Sequence, residues 1–208
     1  MVVIVADVCG KGLPAALTVA QLALEIRHSL DVTLSAKGLM QRLNDYTIAS
    51  GELMITLLMA ILDPQNHTLT ILNAGHPYPR KYCGTNQSVE PVGVGRSGLP
   101  LGIVPAYDYH TATTVLAPGD MVVMYTDGVP DAGSRTGEMY RERRMEEALL
   151  RTPSDPTLFL ERLSGELQSY AIGTSRQHDD VCVVCIQRTR DAAGPGSEVP
   201  ADRTIAHD

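Results

Sequence analysis

Val2-Val3-Ile4-Val5-Ala6-Asp7-Val8-Cys9-Gly10-Lys11-Gly12-Leu13-Pro14 sets an apolar run, an acid and a glycine-bearing turn in one line. The run is short and β-branched, which predicts a strand over 2–6 that is buried on both faces. Pro14 suits the first turn of a helix. Leu13, Leu17, Ala20 and Leu24 then recur at spacings of four and three, which predicts that they form its inward face. An acid at a strand end points into a cleft, not into the core. The same device appears twice more: Asp127 closes Met121-Val122-Val123-Met124-Tyr125-Thr126, and Asp179-Asp180 opens Val181-Cys182-Val183-Val184-Cys185-Ile186. If these ends converge, several negative charges share one small site. At about 4 Å and an effective dielectric near 20, each pair repels by roughly 4 kcal/mol. Bound cations remove that cost, and all-oxygen donors favour Mg²⁺ or Mn²⁺ over zinc.

Outward from this start, a second helix begins at Ser35 and carries Leu39, Leu43 and Tyr46 inward. Strands over 54–62 and 68–73 are joined by the turn Asp63-Pro64-Gln65-Asn66. Pro77 and Pro79 mark an irregular or edge segment, and 84–106 reads as a long Gly- and Pro-rich loop with short extended pieces. Strands over 111–116 and 120–126 are expected to pair around Ala117-Pro118-Gly119. A helix over 141–150 precedes one capped by Asp155, with Pro156 at its first position and Leu160, Leu163, Leu167 and Tyr170 buried. The last strand spans 181–187. From 191 onward the chain is polar with Gly and Pro, which predicts a disordered tail over 191–208 and a folded domain over 1–190. Helices come in pairs between groups of adjacent strands. That order predicts an α+β sandwich of antiparallel sheets instead of alternating βαβ units.

The composition narrows the function. A chain of 208 residues with no Trp and one Phe builds an aliphatic core, and its net charge of −7 opposes general nucleic-acid binding. No run approaches a membrane span and no secretory signal is evident, so a cytoplasmic location is expected. The four cysteines read as buried structural thiols, because Cys182 and Cys185 face opposite sides of a strand and cannot easily grip one zinc. Gly10-Lys11-Gly12 fails the Walker pattern, which needs four residues between Gly and Gly-Lys and a Ser or Thr after the Lys. Its glycines let the backbone approach a metal or its waters, and Lys11 is either a solvated charge or a contact for substrate phosphate. His178-Asp179 lacks the further helical histidines of a His-Asp metal site. His76 reads as structural, bonding neighbouring backbone. No Ser or Cys sits in a nucleophile elbow, and the neighbouring acids oppose a thiolate at Cys9.

Six segments, in order over about residues 2–188, then resemble one family. Ala6-Asp7-Val8-Cys9-Gly10-Lys11-Gly12-Leu13-Pro14-Ala15-Ala16-Leu17 resembles its ADVSGKGxPAAL segment, and Asn73-Ala74-Gly75-His76-Pro77 its NAGHP motif. Gly98-Leu99-Pro100-Leu101-Gly102 is similar to GxPLG, and Pro118-Gly119-Asp120 to PGD. Tyr125-Thr126-Asp127-Gly128-Val129 is similar to YTDGV, and Asp179-Asp180 to a closing DD. The family is the SpoIIE/RsbU-type branch of the metal-dependent (type 2C) serine/threonine protein phosphatases. The resemblance implies an αββα sandwich with a centre of two Mn²⁺ or Mg²⁺ ions. Carried over by motif, Asp7 bridges the ions, the Val8 carbonyl binds one, and Asp127 and Asp179 hold the other, with Asp180 as a further member. It also implies water-mediated hydrolysis of phosphoserine or phosphothreonine on a protein substrate, typically an anti-sigma-factor antagonist in bacterial partner switching, under an upstream sensor domain. Cys9 stands where the family has Ser. The family also places a strand pair with a GGDxxD-like motif before this opening strand, so an N-terminally truncated domain lacking its first strands and one ligand is expected. The alternative is a catalytically impaired module of the same fold that binds or regulates a partner protein.

Overall fold

The computed structural model describes residues 1–30, 35–51, 54–171 and 180–190. β1 (Val2–Val8) pairs antiparallel with β2 (Ile55–Asp63), and β2 with β3 (Thr68–Ala74). β3 also takes β7 (Thr111–Val115) antiparallel and the two-residue β6 (Ser97–Gly98) in parallel. The second sheet runs β5 (Ser88–Pro91), β4 (Arg80–Cys83), β8 (Met121–Tyr125), β9 (Val183–Gln187), antiparallel throughout.

Alternation along these strands builds the layers. Val5, Leu58, Ala60, Leu69 and Ile71 of the first sheet meet Val122, Met124 and Ile186 of the second. The opposite face of the first sheet offers Val8, Ile55, Leu57, Met59 and Leu72. These pack against α1 (Leu13–Leu30) and α2 (Ala36–Ser50) through Leu22, Leu39, Met40 and Leu43. The outer face of the second sheet, with Met121, Val123 and Tyr125, is covered by α3 (Arg141–Arg151) and α4 (Pro156–Ala171) through Met145, Leu149, Phe159 and Leu163. The architecture is the expected αββα sandwich. Local signals hold as well: Ser35 caps α2 by accepting from the Gly38 N–H at 3.1 Å, and Asp155 accepts from the Leu158 N–H at 2.9 Å at the start of α4.

Several expectations are overturned. The strands over 111–116 and 120–126 do not pair with each other: β7 lies in the first sheet and β8 in the second. The Pro118-Gly119-Asp120 stretch is a corner between sheets, held by a buried ion pair. Asp120 meets Lys81 at 3.1 Å and accepts from the Gly84 and Ala117 N–H groups, while the Lys81 ammonium donates to the Val115 carbonyl at 2.8 Å. Arg80 and Lys81 hid β4 from a hydrophobic reading. Each is ion-paired, Arg80 with Glu146 at 2.6 Å, so a charged strand lies inside the sheet. Leu160 is exposed and Phe159 is buried in its place. Tyr46 is only half-buried, with Met40, Asn44 and Thr47 sharing the buried face of α2.

The thiols are less buried than expected. Cys182 is exposed and Cys9, Cys83 and Cys185 are half-buried, all four unpaired. Most consequential is α1. It buries Thr18, Leu22 and Ser29, and leaves Leu13, Leu17 and Leu24 in solvent. The turn before it holds Gly10 and Gly12 at φ of 131° and 77°, a conformation that favours glycine. The buried hydroxyls are satisfied within the helix, Thr18 donating to the Pro14 carbonyl and Ser29 to Glu25. Residues 191–208, expected to form a disordered tail, lie outside the described residues.

Candidate functional site

Register and parity bring two acids from two sheets to one place. Asp7 lies near the end of β1, on the same face as Val3 and Val5, which is the face turned to the second sheet. Asp127 follows β8, one of the two inner strands of that second sheet. Both line one cleft of about 550 Å³, to which β1 also gives Ala6 and Val8, the turn gives Cys9 and Gly10 to Gly12, and α1 gives Ala15, Ala16 and Val19. Thr126, Asp180 and Cys182 complete it from the second sheet. Burial, then the charges of Asp7 and Asp127, push the Cys9 thiol above its ordinary range. The two carboxylates therefore act on one point, and the thiol stays protonated.

Of the expected ligand set, Asp7, Val8, Asp127 and Asp180 stand at this cleft, while Asp179 and the neighbouring His178 lie outside the described residues. Among the described residues, no three His, Cys, Asp or Glu are gathered closely enough to hold an ion by themselves. The carboxylates among the cleft residues, Asp7, Asp127 and Asp180, suit a hard divalent cation, and the protonated Cys9 thiol beside them opposes a thiolate-bound one.

Thr126, next to Asp127 in the sequence, is not among the expected ligands, and the structure gives it partners of its own. Its hydroxyl donates to the Asp180 carbonyl at 2.8 Å and accepts from the Cys182 N–H at 3.0 Å, and its own N–H donates to the Cys182 carbonyl at 3.1 Å. It therefore positions the acidic start of the last strand against Asp127. A buried hydroxyl next to a site acid was the available signal.

The Asn73-Ala74-Gly75-His76 turn supports the site from behind. The Asn73 amide donates to the His76 carbonyl and accepts from the His76 N–H, both at 2.8 Å. His76 is structural, as expected, but its ring partner is a side chain and not neighbouring backbone. Its Nδ1 shares a 2.9 Å hydrogen bond with the hydroxyl of Thr56, the cross-strand neighbour of Asp7. Burial holds the imidazole down at a pKa of about 4, only partly opposed by the Tyr125 backbone. The ring is therefore neutral at pH 7.

Comparison with known proteins agrees with this arrangement. The family model described as stage II sporulation protein E (SpoIIE) matches residues 1–189. The phosphoserine phosphatase RsbU of Bacillus subtilis is 25% identical over 189 residues, covering 88% of this chain and 54% of RsbU, so the chain spans about half the length of that relative. Among solved structures, the SiaA-PP2C domain of Pseudomonas aeruginosa superposes with a TM-score of 0.77 at 20% identity, covering 89% of this chain and 75% of that one. RsbX in complex with magnesium does so with a TM-score of 0.64 at 17% identity, covering 88% and 79%. At these identities the two structures establish the fold. With the acidic strand ends at one cleft, an αββα sandwich around them and a family match over nearly the whole length, the chain belongs to the SpoIIE family.

Proposed function

We propose that this chain is a metal-dependent protein phosphatase domain that hydrolyses phosphoserine or phosphothreonine on a protein substrate. The observation that carries the reading is the convergence of Asp7 and Asp127, from two different sheets, on one cleft. The likeness to the phosphoserine phosphatase RsbU supports the activity, and the magnesium of RsbX supports the cation class. Asp7, the Val8 carbonyl, Asp127, Asp179 and Asp180 would hold two Mn²⁺ or Mg²⁺ ions. When bound, the cations lower the pKa of water and neutralise charge developing on the phosphoryl group. The chain's own contribution is to hold the carboxylates on two rigid sheets, to pin the 180–182 segment through Thr126, and to offer the Lys11 charge toward phosphate. We infer a phosphorylated anti-sigma-factor antagonist as the substrate class, within partner switching under an upstream sensor domain.

The test is phosphate release from a phosphoserine peptide at millimolar Mn²⁺. Asp127→Asn keeps the shape and removes the charge, so turnover should fall by at least about a hundredfold. Retained turnover in that variant would show the ligand assignment to be wrong. No turnover by the unsubstituted chain would overturn catalysis and leave a module of the same fold that binds a partner protein.

A further inference from the structure

The apolar layer between the two sheets stops short of the cleft. On β1 it reaches Val5 and on β8 it reaches Met124, and the acids stand two and three residues further along, at Asp7 and Asp127. Two like charges at neighbouring strand ends push those ends apart. Whatever links the strands between the apolar layer and the acids therefore bears on how far apart the carboxylates sit.

The ring of His76 lies in this stretch, and the residue is only 4% exposed. On one side its Nδ1 shares the 2.9 Å hydrogen bond with the Thr56 hydroxyl. Thr56 stands directly opposite Asp7 in the β1–β2 ladder, so both side chains leave the first sheet on the face turned to the second. On its other side the ring meets the backbone of Tyr125, two residues before Asp127. Nε2 is buried there without a hydrogen bond of full geometry, so the approach is polar but not closed. One neutral tautomer suits both contacts: with the proton on Nε2, facing the backbone, Nδ1 accepts from the Thr56 hydroxyl. The ring also has a rigid base. The Asn73 amide grips the His76 backbone through two hydrogen bonds, the Ser97 hydroxyl donates to that amide at 3.1 Å, and Gly75 leaves no room against Pro100.

We propose that His76 is a positioning residue for the cation site: it ties Thr56, beside Asp7, to the strand that ends in Asp127, and so sets the separation of the two carboxylates. Thr126 orders the acids within the second sheet, whereas His76 works across the two sheets. The inference rests on the phosphatase reading of the cleft and adds to it a residue that touches neither cation nor substrate. Supports of this kind, one step behind the ligands, change metal affinity by about tenfold to a hundredfold when they are lost. A purely structural histidine would lower stability on replacement and leave the affinity of the folded chain unchanged.

Titration of the folded chain with Mn²⁺ near neutral pH tests it, the free ion being counted by its electron paramagnetic resonance signal. Thr56→Val keeps the shape and removes the hydroxyl; His76→Phe keeps a ring and removes both nitrogens. Each should weaken Mn²⁺ binding by about tenfold or more, and the double variant should bind no more weakly than the weaker single one, because both cut the same link. Phe159→Leu, in the layer between the second sheet and α4, lowers stability away from the cleft and should leave Mn²⁺ binding as it is. If His76→Phe does not fold, Thr56→Val carries the test alone. Binding that Asp127→Asn weakens but Thr56→Val and His76→Phe leave unchanged would overturn this inference and spare the phosphatase reading, as would an equal loss in Phe159→Leu. Binding indifferent to Asp127→Asn, or no binding by the unsubstituted chain, would overturn the reading and the inference with it.

Discussion

The neutral ring of His76 makes a single residue into a pH-dependent part of the fold. Its folded pKa of about 4 lies below the ordinary value of 6.5, so as pH falls the unfolded chain takes up the proton first. The unfolded state binds more protons between those two values, and stability therefore rises with pH across that window and is lost as pH falls through it. The full effect is roughly 3 kcal/mol once both states are protonated. Urea melts at pH 7 and pH 4.5 measure it directly. The native chain should lose roughly 2–3 kcal/mol more than His76→Gln between the two conditions; equal losses would show that the ring titrates normally. Thr126 is the other residue whose value lies in its partners, since one hydroxyl joins Asp180, Cys182 and the strand that ends in Asp127.

At the scale of elements, two motif segments turn out to be one packing unit. Gly75 sits at φ 70°, and a Cβ there would lie 2.5 Å from Cγ of Pro100. The turn after β3 is thus pressed against the segment that runs from β6 to Leu101, which in turn bridges to Ile55 at the start of β2. Gly75→Ala adds both a steric clash and a left-handed backbone strain. It should cost about 2–4 kcal/mol in denaturant unfolding; a loss below about 1 kcal/mol would mean that the two segments yield easily. Helix α1 shows the opposite case. Its sequence contains an ideal apolar stripe, and the fold buries the neighbouring one, with two hydroxyls satisfied inside the helix.

For the whole molecule, the site joins two sheets that also meet through their apolar faces and the Lys81–Asp120 corner. A cation held between Asp7 and Asp127 would therefore bind the folded chain and not the unfolded one. At a hundred times its dissociation constant, Mn²⁺ should add about 2.7 kcal/mol and raise the melting temperature by about 5–10 °C. Asp7→Asn should abolish the shift, and an equal shift in that variant would place the ion elsewhere. Acidic strand ends, strand alternation and the order of the motifs were legible from residues alone, and so were the layers. These are local properties: a period of two, an acid after an apolar run, a cap before a helix. Pairing was not local. That β7 and β8 part into different sheets, that charged β4 lies inside one of them, and which stripe of α1 is buried depend on partners far along the chain. The meeting of Asp7 with Asp127 belongs to the same class, because only the stacking of two sheets brings their strand ends to a common cleft.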